Sequence, residues 1–127
     1  MTRRSIEVPG LSHGTQPFPM ASRVGPLVTT SAVHGVDPAT GELAPDPATQ
    51  IAQVFANLEA VLAAAGGGLD DVAQVLVTLT DKAHRPLVND VWVARFPDEA
   101  SRPARNTQER PLAPGQVCTV LATAWVG

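Results

Sequence analysis

The segment "PATQIAQVFANLEAVLAAAGGG", residues 47 to 68, restricts this chain more than any other. Ile51, Val54, Phe55, Leu58, Val61, Leu62 and Ala65 recur at the i, i+3, i+4, i+7 spacing of a single apolar stripe. The pattern predicts a helix over residues 47–65, with Asp46 as N-cap, Pro47 at the first helical position and the glycine run as its stop. Four residues later "VAQVLVTLT", residues 72 to 80, is apolar and rich in β-branched residues, the composition of a strand flanked by other strands. A one-sided helix followed at once by an interior strand calls for a sheet with a helical layer on it.

The remaining punctuation, 10 glycines and 12 prolines, divides the rest of the chain. "RRSIEVP" reads as a first strand, and "FPMASRV" and "GPLVTTSAV" as a hairpin turning at Gly25-Pro26. "DPATGE", residues 37 to 42, is a loop. "HRPLVNDVWVARF" places Leu87, Val88, Val91, Trp92 and Phe96 on one side of a second helix closed by Pro97, and residues 104–109 and 116–126 are two further strands. Right-handed crossovers put both helices on the same face of one mixed sheet, all within a single domain of residues 1–127. The strands at 26–33 and 116–126 carry apolar or small residues on both faces. The uncovered face is therefore expected to pack against other copies in a closed homo-oligomer.

Charge and cysteine usage exclude several classes. A net charge of −3, with one lysine and scattered arginines, offers no basic stripe for nucleic acid. One cysteine, Cys118, permits no intrachain disulfide. No stretch approaches the roughly 20 apolar residues of a membrane span, and no apolar run follows the basic residues of "MTRRSIEVPG". The expectation is a cytoplasmic protein that binds neither nucleic acid nor membrane.

"SRPARNTQ", residues 101 to 108, holds the main candidate. In the 104–109 strand Arg105, Thr107 and Glu109 face one way and Asn106 and Gln108 the other, so neither face is apolar. Such a strand belongs at an edge or along a cleft, and Arg105 is either a solvated edge charge or the holder of a carboxylate through two parallel hydrogen bonds. His13, His34 and His84 lack metal-ligand spacing, so no metal is expected, and no pair of them is legible as a general acid and base. His34 is either a partly exposed loop residue or one that reaches a cleft from a strand end. Ser31 and Cys118 sit in no nucleophile elbow, and Gly66 to Gly68 form no phosphate loop, so no cofactor is implied.

In the order and spacing of "DPATGEL", "QIAQVFANLEAVLAAAGGGLDDVAQVLVTLTD", "VNDVWVARF" and "RPARNT", the chain resembles the RidA (YjgF-like) family of reactive-intermediate deaminases over nearly its whole length. The resemblance implies an α+β fold like that of the bacillus-type chorismate mutase. That fold has a mixed six-stranded sheet with two helices on one face, and a homotrimer closes around a central barrel with sites between subunits. It implies that Arg105 binds the carboxylate of a 2-imino or 2-enamino acid, a small carboxylated metabolite. Phe18 then stands for an aromatic at the site entrance, Ser31 and Ala32 for a Ser-Gly pair that binds substrate, Asn89 for a recurrent asparagine, and Thr107 for a small residue whose main chain positions water.

One departure opens a second possibility. The best-known members carry a glutamate on the last strand that positions water and moves protons, and Ala122 in "VLATAWV" is aligned with it. Alanine does neither. Glu109, on the face of Arg105, lies about 13 Å away along the strand and cannot substitute. Two expectations follow: a hydrolytic imine or enamine deaminase that releases ammonia, or a carboxylate-binding protein that has lost hydrolysis. The acidic charge and the missing histidine pair count against a ribonuclease.

Overall fold

The computed structural model describes residues 2–127. Its strands are β1 (Arg3–Ile6), β2 (Ala21–Val24), β3 (Leu27–Thr30), β4 (Val33–His34), β5 (Val72–Leu79), β6 (Ala104–Glu109) and β7 (Cys118–Trp125), and its helices are α1 (Pro47–Ala64) and α2 (Arg85–Arg95). The sheet runs β1-β2-β3-β7-β5-β6, antiparallel except for the β5–β6 pair. Six strands lie on this path, and β4 is a seventh, two-residue segment that also pairs with β7. The strand expected through residue 33 breaks at Ser31-Ala32. Ser31 N–H donates to Met20 O and the Thr30 hydroxyl accepts from Ala122 N–H, which takes two residues out of the ladder.

The period-2 alternation separates the two faces of the sheet. On β7, Cys118, Val120, Ala122 and Ala124 are buried, as are Val75, Val77 and Leu79 on β5, and this face packs under the helices with Phe55, Leu58 and Leu62 of α1 and Val88 and Trp92 of α2. The opposite face bears no helix and presents Leu27, Leu121 and Trp125, the last 63% exposed in the isolated chain. Among the described residues no helix is long and apolar enough to cross a membrane.

Helix α1 starts as its sequence demands, with Asp46 accepting from Thr49 N–H and Pro47 in the first turn. It ends at Gly66, whose φ of +90° is open only to a residue without a Cβ. A long-range cap completes that end, because Arg23 reaches over from β2 to donate to the carbonyls of Ala65, Gly25 and Val126.

Two buried polar residues on α1 position the loops around the sheet. The Asn57 amide donates to His34 O and Val36 O at 2.8 Å each and accepts from Gln53. The Gln50 amide donates to Ala44 O and Gly115 O and accepts from Val117 N–H at 2.7 Å. The backbone after β4 runs so close to α1 that a Cβ on Gly35 would sit 2.5 Å from Gln50 O. Glycine at that position and Asn57 across from it fix where His34 emerges from the sheet.

Candidate functional site

The candidate residues fall into two clusters. The first lies at the β6 edge. Arg105 pairs in register with Val75, so its side chain leaves the helix-bearing face of the sheet and runs over α2. There the guanidinium carbon stands 5.0 Å from the centroid of the Trp92 ring, and Nη2 donates to Asn89 Oδ1 at 2.7 Å. Trp92 is held from below by Phe96 and Phe55, with ring centroids 4.8 and 6.2 Å away. Thr107, two residues along, shares the face of Arg105.

The first cluster is a charged head on a rigid platform with no anion of its own. The one ion pair among the described residues is Arg95–Glu59 at 2.9 Å, and no carboxylate pairs with Arg105. Burial, and then the like charge of Arg85, hold the Arg105 pKa below its usual range. An incoming carboxylate would offset both, since an opposite charge favours the protonated guanidinium. Glu109 is engaged elsewhere, accepting from Lys82 N–H at 2.8 Å.

The second cluster lies around the break between β3 and β4. The Ser31 hydroxyl donates to Pro19 O at 2.7 Å, which brings the loop carrying Phe18 against Ser31 and Ala32. Phe18 is 47% exposed. Against it lies His13, with ring centroids 4.7 Å apart, and His13 meets His34 edge-on at 5.7 Å. His34 Nε2 is 3.2 Å from Ser12 O, which places its proton on Nε2. His13 Nε2 and His34 Nδ1 are both buried and have no hydrogen-bond partner.

The structure corrects one expectation. His13 and His34 are a pair, although no spacing in the sequence announces it: they are 21 positions apart, and only the fold of the first loop onto β4 joins them. Ala122, which the resemblance aligns with the family's glutamate, shares the face of Arg105. Its side chain lies on the helix-bearing face, 4% exposed within the core and in register with Val75, which separates it from Arg105 on the next strand. The residue of β7 that stands beside His34 is Thr119, on the other face.

One chain does not bring the two clusters together. From β4 to β6 is three strand spacings, about 14 Å, and Arg105 and His34 leave opposite faces of the sheet. Arg105, Asn89 and Thr107 make one cluster, and Phe18, Ser31 and Ala32 with the two histidines make the other.

A mixed sheet with two helices on one face is the fold seen in RidA proteins. The sequence profile of the family described as "Endoribonuclease L-PSP" matches residues 12–119. The 2-iminobutanoate/2-iminopropanoate deaminase of Salmonella typhimurium is 32% identical over 102 residues, covering 80% of each chain. Among solved structures, RidA from the Antarctic bacterium Psychrobacter superimposes with a TM-score of 0.89 at 31% identity over 97% of this chain and 99% of that one. Escherichia coli TdcF with bound serine superimposes with a TM-score of 0.89 at 25% identity over 98% and 99%. The chain belongs to the RidA (YjgF) family.

Proposed function

We propose that this chain is the single-domain subunit of a cytoplasmic homotrimeric deaminase. It would hydrolyse small 2-imino or 2-enamino acids to 2-oxo acids and ammonia, with its sites between neighbouring subunits. The observation that carries this reading is the unpaired Arg105 guanidinium, stacked on Trp92 and steered by Asn89. A guanidinium so placed offers a fork of donors to a carboxylate, and the names of the family's deaminases and the serine bound to TdcF agree with a small carboxylated ligand.

The two half-sites, separated within one chain, support a shared site. Arg105, Asn89 and the backbone near Thr107 come from one subunit, and Phe18, Ser31 and Ala32 from the next. The apolar Leu27, Leu121 and Trp125 on the bare face supply a surface that trimer formation would bury. The alternative, a carboxylate-binding protein that has lost hydrolysis, rests on Ala122 standing where the resemblance places the family's glutamate, and ammonia release separates the two readings.

Ammonia release from freshly generated 2-aminoacrylate tests the proposal. Turnover by the wild type that Arg105→Ala abolishes supports it. Pyruvate binding at Arg105 without any turnover refutes it.

A further inference from the structure

Of the groups in the second half-site, the histidine pair is the one left without a role. Two imidazole nitrogens, His13 Nε2 and His34 Nδ1, are buried with no partner, each at the cost of an unmade hydrogen bond. The His13 ring lies against Phe18 and the His34 ring against His13, next to the loop that Ser31 ties down at Pro19. Neither is there for packing alone, since an apolar side chain would fill the same space without desolvating a nitrogen.

We propose that His34 is the acid–base residue of this site, with His13 holding the attacking water beside it. The proposal rests on the deaminase reading and assigns its proton transfers. Because Nε2–H of His34 is committed to Ser12 O, the lone pair is on Nδ1, the nitrogen with no partner. Asn57 fixes the His34 backbone from behind, and Gly35 allows it to lie flat on α1, so the ring is preorganised.

In the first step the oxygen of water bonds to the imine carbon while His34 Nδ1 takes one of its protons. The π pair of the C=N bond moves to nitrogen, and His34 returns the proton there. In the second step His34 takes the hydroxyl proton and delivers it to the same nitrogen. The C–N bond breaks with its electrons on the departing ammonia, and the carbonyl forms. Imine plus water gives ketone plus ammonia, with no oxidation or reduction.

The surroundings disfavour a charge on His13. Burial first, and then the neighbouring His34, lower the His13 pKa, while the Ala32 backbone and the carboxylate of Glu7 oppose them. Glu7 is itself tied to Met20 N–H at 3.3 Å.

The experiment measures kcat for in situ generated 2-iminopropanoate against pH, alongside pyruvate binding, for wild type, His34→Gln and His34→Asn. The proposal expects a wild-type rate that falls as the pair is protonated at acid pH. It expects a kcat lowered about 100-fold or more in both variants, loss of the acid limb, and unchanged pyruvate affinity. Should His34→Gln not fold, His34→Asn and the wild-type profile decide the matter. Variants with normal kcat, or a wild type with no acid limb, overturn the proposal while the deaminase reading stands, as does RNA cleavage that needs His34 when imine hydrolysis does not. A wild type that releases no ammonia overturns both.

Discussion

Replacing Arg105 by lysine keeps the charge and removes the fork. In the wild type Nη2 spends one N–H on Asn89 at 2.7 Å, which leaves enough donors for two parallel bonds to a carboxylate. The ammonium of lysine is a point charge that satisfies one carboxylate oxygen well and the other poorly. The loss is one hydrogen bond to a charged group, about 1.5 to 3 kcal/mol. That corresponds to a pyruvate Kd raised roughly 10- to 150-fold. The Trp92 face at 5.0 Å attracts either cation, so stacking offsets little of this. Titration calorimetry with pyruvate reads the change, and thermal melting provides the control. Arg105 lies outside the hydrophobic core, so stability should shift by no more than about 0.5 kcal/mol. Wild-type pyruvate affinity in a folded Arg105→Lys protein would refute the carboxylate role. A weakening that merely tracks lost stability would refute it equally.

Mixing Arg105→Ala subunits with His34→Gln subunits, each inactive alone, should regain about a quarter of wild-type activity after random re-assembly, because one junction in four unites two intact halves. No recovery from demonstrably mixed oligomers would mean that the half-sites do not meet between subunits. Asn57→Ala strands the carbonyls of His34 and Val36 and should lower stability by about 1–3 kcal/mol by chemical denaturation, with kcat reduced through the displaced His34. The Cys118 thiol is buried, and burial pushes its pKa up to about 12. Its reactive thiolate at pH 8 is then about one part in ten thousand, so a thiol reagent should label the native protein only as fast as it unfolds and the denatured protein at once.

Local chemistry wrote most of the fold into the chain. The apolar stripe of α1 with Asp46 before it, the β-branched run of β5 and the period-2 alternation of β7 each fix an element through contacts within a few residues, and the bare apolar face follows from that alternation. Arg105 was legible for a related reason, since a strand polar on both faces has no place in a core. The ligand proposed for it came from the resemblance to a known family.

The histidine pair, the place of Ala122 and the role of Arg23 as a cap were decided only in three dimensions. His13 and His34 meet because Ser31 bonds back to Pro19 and Asn57 grips His34 from behind, contacts that span 12 and 23 positions. Ala122 faces the core because the β7 register on β5 sets which residues turn inward, and a shift of one position would expose it instead. Periodicity along a chain reports which side of an element is apolar. It carries nothing about which distant loop closes over that element, because closure is set by the sum of long-range contacts, and here those contacts bring the two histidines together.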